Sequence, residues 1–235
     1  PEILMKIASR DDPERPYLGS MGIYLFKANV LMDLLSKYNH DDFGGDVIPA
    51  AIKTHNVYGY DFSGFWEDIG TIRSFYTANL ALADPNPPFN FFDQKFPIYS
   101  HPRFLPGSTV EDSVLKNVLM AEGCRIEKAT ITHSIIGLRS QIRSNAQITD
   151  SILMGNDYYE WPTSSEALNG PLEIGPDCVI EGAIIDKNAR IGKGTVIKPF
   201  PMGTDIDGDG WVVRDGIVIV PKSGRLKPGT RIAPD

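Results

Sequence analysis

An acidic residue with aromatic neighbours, Asp68, stands in the stretch GFWEDIGTIRSFYTANL. The segment FWED resembles the end of a buried strand, and Thr71 has the position of the N-cap of the helix that follows. Open α/β sheets bind ligands beyond the carboxyl ends of their strands, so Asp68 is a candidate binding or metal-ligating carboxylate. A helix-terminus charge or a solvated turn residue is the alternative interpretation of a single Asp at this position.

Further polar and aromatic residues stand near the ends of other predicted elements. GSMGIY contains Ser20 and Tyr24, and DDFGGDVIP contains Asp42 and Phe43. Tyr24 and Phe43 also suit plain core packing, and both interpretations stay open for these two rings.

The elements that must position these residues alternate between strands and helices. GSMGIYLF and NVYGYDF have the patterns of strands, whereas KANVLMDLLSKY and DVIPAAIKTH have those of helices. This alternation continues to about residue 84 and predicts an α/β region. The Pro-rich and aromatic-rich residues 85–108 are predicted to form an ordered linker.

From about Thr109 onward, aliphatic residues recur every five or six positions. They are Ile126, Ile131, Ile136, Ile142, Ile148, Leu153, Ile174, Ile180, Ile185, Ile191, Ile197, Val220, Leu226 and Ile232. This period fits neither an α-helix nor an ordinary strand. It predicts a parallel β-helix in which three repeats, about 18 residues, form one coil. Residues 156–172 and 199–215 interrupt the repeat and are predicted to be loops that leave the coils.

The composition excludes several classes of function. The formal charge is −7, and no basic run is present, which argues against a nucleic-acid surface. No apolar run approaches the roughly 20 residues that a membrane span needs. Two cysteines are too few for a disulfide framework, so a reducing compartment is expected. The chain begins PEILMKIASR without an initiator Met, and we expect it to be part of a longer polypeptide.

Six motifs, taken in their order and spacing, resemble the ADP-glucose pyrophosphorylase family, the glucose-1-phosphate adenylyltransferases of glycogen and starch synthesis. They are SMGIY, DFGGDVIP, FWEDIGT, SIIGLRS, SILMGNDYYE and AIIDKNARIG, and the plant and cyanobacterial forms look closest. The resemblance implies three parts. Residues 1–84 would be the C-terminal portion of a Rossmann-like nucleotidyltransferase domain, residues 85–108 the linker, and residues 109–235 a left-handed β-helix of hexapeptide repeats.

The resemblance also implies a reaction. Glucose-1-phosphate attacks the α-phosphate of ATP, pyrophosphate leaves, and Mg²⁺ assists. Asp68 matches a catalytic carboxylate that holds this metal. The positions that match glucose-1-phosphate contacts are Ser20, Tyr24, Asp42, Phe43 and Trp66. The GGxGxRL phosphate loop of the family does not occur in the sequence, so we expect the chain alone to be inactive.

Regulation by a phosphorylated effector is the second implication of the resemblance. The family is activated by 3-phosphoglycerate and inhibited by phosphate, and the matching cations are Arg103, Lys187 and Lys222. Solvated lysine and arginine side chains on β-helix turns are the alternative interpretation. The resemblance further implies a homo- or heterotetramer, located in the cytoplasm of a bacterium or in the plastid stroma.

Other functions stay open at this level. A regulatory, non-catalytic subunit paralogue and a related sugar-nucleotide pyrophosphorylase with another base or sugar would share most of these motifs. A β-helix acyltransferase would use a catalytic His, for which His133 is the candidate within the repeats. DIDGDG imitates the start of a calcium loop, but Gly216 stands where the twelfth-position Glu belongs, so a polar loop is predicted.

Overall fold

The structure, a computed structural model, describes residues 13–14, 16–37, 42–160 and 170–234. Contacts between Cα atoms divide the chain into two compact units, one up to Asp68 and one from Ile69 onward. The helical elements are α1 (Ala28–Lys37), a π-helical turn (Phe43–Val47), α2 (Ile48–Thr54) and α3 (Ile72–Ala81). No helix among the described residues is long and apolar enough to cross a bilayer.

The first unit contains a small helical core. Leu34 of α1 packs with Val47 and Ala51, and Phe26 and Val30 cover this cluster from the side. The two helices confirm the helical patterns of KANVLMDLLSKY and DVIPAAIKTH. Proline within the first two positions of α2 suits a helix start, because the amide hydrogen that it lacks would have no partner there.

The strands that the sequence predicts in this first unit are not formed. GSMGIYLF, NVYGYDF and FWED all lie outside the strands of the structure, and Leu25 and Tyr60 are 99% and 89% exposed. Apolar alternation shows only that one face of a segment suits burial, whereas a strand also needs a hydrogen-bonded neighbour. Among the described residues up to Asp68, no segment supplies that neighbour.

The second unit is built from short strands that pair mainly in parallel. They are β1 (Thr109–Glu111), β2 (Val114–Met120), β3 (Arg125–Glu127), β4 (Thr130–Ile136), β5 (Gln141–Ile142), β6 (Gln147–Thr149), β7 (Ile152–Leu153), β8 (Val179–Glu181), β9 (Ala183–Ile185), β10 (Arg190–Ile191), β11 (Val196–Ile197), β12 (Ile206–Asp207), β13 (Val212–Arg214), β14 (Ile217–Val220), β15 (Arg225–Leu226) and β16 (Arg231–Ile232). Each coil hydrogen-bonds to the next, which confirms the parallel β-helix.

Aliphatic side chains stack in three columns, one on each face of the coils. The first column is Val110, Ile126, Ile142, Ile174, Ile191 and Leu226. The second is Leu115, Ile131, Ile148, Ile180, Ile197 and Ile232. The third is Met120, Ile136, Leu153, Ile185 and Val220. Most of these side chains are almost completely buried, so the repeat forms the core of the unit.

The coils are shorter than the predicted 18 residues. Register partners Ile126 and Ile142 are 16 residues apart, and Ile131 and Ile148 are 17 apart. Left-handed backbone at coil corners, such as Asn145 and Asn188, allows the tighter turn, and Asn tolerates that conformation better than most residues.

One of the two predicted loops is a hairpin. Within residues 199–215, β12 and β13 pair antiparallel, and β13 continues antiparallel to β14. DIDGDG contains β12 and the start of the hairpin turn; Asp207 pairs with Arg214, and Asp205 accepts the amide hydrogen of Asp215. The other predicted loop includes residues 161–169, which lie outside the described residues.

Helix α3 packs on an outer face of the β-helix. Thr71 and Ser74 form a reciprocal capping box at its start, which confirms the predicted N-cap. Leu80 then packs against Ile152, Ile184 and Ile217. The segment 85–108 follows without helix or strand, and Phe92, Phe96 and Tyr99 are exposed on it.

Candidate functional site

Ser20, Tyr24 and Phe43 lie together in the first unit. The hydroxyl groups of Ser20 and Tyr24 are 3.0 Å apart, and the amide of Gly22 donates to Ser20 Oγ. The Tyr24 and Phe43 rings stack with centroids 6.0 Å apart, and Phe26 meets Phe43 edge-on. Phe43 and Ser20 are exposed. Mutual stacking therefore accounts for the rings without deep burial, and it holds a pair of hydroxyl groups beside an exposed aromatic surface.

Asp42 acts as the cap of the π-helical turn. Its carboxylate accepts the amide hydrogen of Gly45, and its own amide donates to Asp46 Oδ2. A Cβ atom at position 45 would lie 3.1 Å from Asp42 Oδ1, so glycine at this position favours the close approach. An exposed carboxylate held by a cap in this way retains acceptor capacity for a ligand hydroxyl group.

Asp68 and Trp66 occupy the segment before α3, and both side chains are exposed. The N-cap function belongs to Thr71, so it does not explain the acid at position 68. Mg²⁺ prefers oxygen ligands and is usually held by one or two protein carboxylates together with substrate phosphates. Asp68 fits that role by its chemistry. No group of three or more His, Cys, Asp or Glu residues suited to a metal occurs in the part of the chain that the structure describes.

Two of the predicted effector cations lie together at one corner of the β-helix. Lys187 Nζ is 2.9 Å from Asp157 Oδ1, and Lys222 Nζ is 3.2 Å from Asp157 Oδ2. The corner brings the coils together because Ser223 N donates to the carbonyl of Lys187 and Asn188 N donates to that of Gly155. Convergence of two ammonium groups on one carboxylate shows that this corner can hold an anion.

Asp157 was not foreseen from the sequence, although it stands in the motif SILMGNDYYE. Hydrogen bonds from Lys187, Lys222 and Asn188 lower its pKa to about 2. The carboxylate is therefore ionised throughout the physiological range. A signal was available, because the regular repeat stops at this point of the chain, and such interruptions in coils place polar residues at the surface.

Arg103 bonds to a different partner from the two lysines. Its guanidinium donates to the carbonyl of His101, 3.0 Å away. Within the described ranges, Asp157, which both lysines contact, has no hydrogen bond or ion pair with Arg103. The structure thus groups two of the three predicted effector residues.

His133 is held between two carboxylates. Its Nδ1 atom is 2.5 Å from Asp150 Oδ1, and its Nε2 atom lies 3.1 Å from Asp84 Oδ1 in the geometry of an ion pair rather than of a hydrogen bond. The hydrogen bond with Asp150 and the charges of Asp150 and Asp84 raise the pKa of His133, against the opposing effect of burial. The two carboxylates therefore stabilise the protonated form of His133, and both of its ring nitrogens face carboxylates of this chain.

Comparison with protein families assigns both parts of the chain. Residues 11–85 match the model of the nucleotidyl transferases, and residues 103–230 match the model of the GLGC left-handed parallel β-helix domain. The fold is therefore that of a nucleotidyltransferase region followed by a left-handed parallel β-helix, as the sequence predicts. Because the second match covers more than half of the chain, the protein belongs to the GLGC β-helix family, within the sugar-nucleotide pyrophosphorylases.

Proposed function

We propose that the protein is a glucose-1-phosphate adenylyltransferase, which makes ADP-glucose and pyrophosphate from ATP and glucose-1-phosphate. The observation that carries the proposal is the combination of the two family matches in one chain, a nucleotidyl transferase before a GLGC-type β-helix. The motifs MGNDYYE and IDKNARIG, which resemble the ADP-glucose branch, support the choice of nucleotide. Synthesis of glycogen or starch is the corresponding pathway.

Glucose-1-phosphate binds beside the hydroxyl pair of Ser20 and Tyr24. Phe43 is an exposed ring beside Tyr24, and Trp66 is a second exposed ring that suits the face of a sugar. Asp42 can accept a hydrogen bond from a sugar hydroxyl group while its backbone cap keeps it in place. In this assignment the first unit orients the sugar and its phosphate.

Asp68 is the residue of this chain assigned to Mg²⁺. When bound, the ion neutralises phosphate charge during displacement of pyrophosphate. Phosphoryl transfer depends mainly on positioning and charge neutralisation, so an exposed carboxylate that closely follows Trp66 in sequence suits one of the two metal carboxylates that the resemblance implies. Asp68 would act by holding the metal, with no proton transfer required of it.

The β-helix provides regulation in this proposal. 3-Phosphoglycerate and inorganic phosphate bind at Lys187 and Lys222, together with Arg103 from the preceding segment. The convergence of Lys187 and Lys222 on one anionic group supports the assignment. We further propose assembly into a homo- or heterotetramer and a location in the bacterial cytoplasm or the plastid stroma.

The test compares Asp68→Asn with Glu67→Gln in the native polypeptide that contains this chain. Each change removes one exposed carboxylate and preserves size, but only Asp68 is assigned to the metal. Loss of charge stabilisation should lower the rate of pyrophosphate release about 100- to 1,000-fold for Asp68→Asn. The Glu67→Gln variant should stay near the wild-type rate.

The dependence on Mg²⁺ gives a second readout. If Asp68 holds the ion, the Mg²⁺ concentration for half-maximal rate rises in Asp68→Asn while circular dichroism stays unchanged. Equal rates for both variants and the wild type would remove Asp68 from the site. If the wild type releases no pyrophosphate but activates a catalytic partner, the regulatory-subunit assignment replaces the present one.

A further inference from the structure

The carboxylate of Asp157 occupies the space between two lysines that come from successive coils. One carboxylate oxygen contacts Lys187, and the other contacts Lys222 and Asn188 Nδ2, which is 3.0 Å away. Each ammonium group thus has a separate oxygen of the same anion. A phosphoryl group bound to both lysines would need the same space, because it too would present a separate oxygen to each.

We propose that Asp157 is an internal counter-ion that competes with phosphorylated ligands for Lys187 and Lys222. The inference rests on the proposed effector site and adds a regulatory residue to it. In the ligand-free protein Asp157 keeps the two lysines paired. A phosphorylated ligand binds by displacing the carboxylate from them.

The charges at this corner favour displacement by a phosphate ester. Two lysines and one carboxylate leave one positive charge uncompensated within the group. A phosphate monoester carries about −1.5 to −2 charges at neutral pH and has three acceptor oxygens, whereas a carboxylate carries one charge. The side chains of Asp157 and Lys187 are 39% and 40% exposed, so solvent screens the existing pairs and ligands can reach them.

The local backbone allows the side chain to leave without unfolding the segment. The amide of Asp157 donates to Asn188 Oδ1 at 2.8 Å, and Asn188 is buried. Asn156, the preceding residue, is also buried and donates to the carbonyl of Arg139. These bonds hold the main chain, so rotation of the Asp157 side chain is enough to free the lysines.

The competition raises the ligand concentration that is needed to occupy the two lysines. A monoanion gains little by replacing another monoanion, whereas a dianion gains additional attraction to both lysines. Asp157 therefore lowers the affinity for every anion at this corner by the same factor, because each anion must displace the same carboxylate. The preference for a dianion comes from the two lysines, and the internal carboxylate sets the concentration at which such a ligand binds.

The test is titration of the chain with inorganic phosphate and with 3-phosphoglycerate, followed by the NMR signals of ¹³C-labelled lysine side chains. Asp157→Asn removes the charge and keeps the size and polarity of the side chain. The matched control is Asp177→Asn, another exposed turn carboxylate, which lies 3.4 Å from Lys193 and accepts from Asn145. Lys187→Ala identifies which signals report the site.

Binding to Asp157→Asn should be about two- to five-fold tighter than to the wild type, in keeping with the strength of exposed ion pairs. Asp177→Asn should bind as the wild type does. Wild-type binding with equal or weaker binding by Asp157→Asn would overturn the inference, because Asp157 would then be neutral or would position the lysines. No phosphate response in either protein would overturn the proposed effector site as well.

Discussion

In the β-helix, Ile180 lies in a column of stacked side chains and is 1% exposed. In the region up to Asp68, Ile23 is 70% exposed, although it stands in an equally apolar stretch. The difference arises from how each region satisfies its backbone. Every inner coil of the β-helix has a neighbour on both sides, whereas the apolar segments around Ile23 and Tyr60 lie outside any paired strand.

The comparison separates the region with most of the buried side chains from the region that contains the candidate substrate residues. Repeated coils bury their side chains against copies of the same short pattern, so local sequence is enough to specify the core. The candidate substrate residues belong to the region with less burial, and surface segments commonly carry binding residues. The proposed effector corner follows the same rule inside the β-helix unit, since its charged residues stand at turns.

The largest expected effect is on stability and uses the same substitution in both regions. Ile180→Ala should lower the free energy of unfolding of the β-helix unit by about 2–5 kcal/mol, because it leaves a cavity between stacked coils. Ile23→Ala should change stability by less than about 0.5 kcal/mol, as for other exposed residues. Denaturant unfolding followed by circular dichroism measures both.

Either variant can contradict this contrast in burial between the two regions. If Ile23→Ala proved as costly as Ile180→Ala, the apolar stretch around Ile23 would be covered in solution. If Ile180→Ala were neutral, the stacked columns would not form the core of the second unit.

The second prediction is that the stability of the contact between α3 and the β-helix depends on pH. Protonated His133 is stabilised by Asp84 and Asp150, so its contribution is fully present below its unfolded pKa, about 6.5. That contribution is lost as pH rises through its raised folded pKa. Burial raises the pKa of the neighbouring Tyr76 to about 12, which keeps this phenol neutral over the range.

Thermal unfolding of the wild type and of His133→Asn from pH 5 to about pH 9 measures this effect. Asparagine tolerates the left-handed backbone at position 133, where φ is 43°. The wild type should exceed the variant in melting temperature most at low pH, and the difference should shrink as pH rises. His101→Asn, at an exposed position, is the control. A difference that is constant with pH would assign His133 a packing role only.

The smallest predicted effect is on activation. Lys222→Ala should raise the 3-phosphoglycerate concentration for half-maximal activation about two- to five-fold, because an exposed cation is lost from the proposed effector site. Lys193→Ala, on a different turn, should leave activation unchanged. Rates without effector should be equal for both variants and the wild type. An unchanged activation curve for Lys222→Ala would assign this lysine to the solvated surface.

The sequence predicted the β-helix well because each repeat contributes one buried aliphatic and one turn. Ile126, Ile131 and Ile136 have the spacing that identifies three faces of a coil. Coil length was overestimated, because left-handed corners such as Asn145 shorten the turns and leave only a weak trace in the sequence. The sequence does not predict the hairpin at 199–215, because β12 pairs with β13 and not with a neighbouring coil, and aliphatic spacing does not signal that pairing.

The candidate site was predictable only in part. Ser20, Tyr24 and Phe43 were selected by motif resemblance, and their mutual contacts follow from a fold that periodicity does not reveal. The sequence does not predict the role of Asp157, because its partners Lys187 and Lys222 lie 30 or more residues further along the chain. Contacts of that kind are set by the stacking of coils, which only the structure provides.

The most direct measurement is identification of the product. The native polypeptide that contains this chain is incubated with glucose-1-phosphate, Mg²⁺ and one of ATP, GTP, UTP or CTP, and the sugar nucleotide is identified by mass spectrometry. The account predicts ADP-glucose and pyrophosphate with ATP and little product with the others. A GDP-, UDP- or CDP-sugar in its place, or no product with any nucleotide, would contradict it.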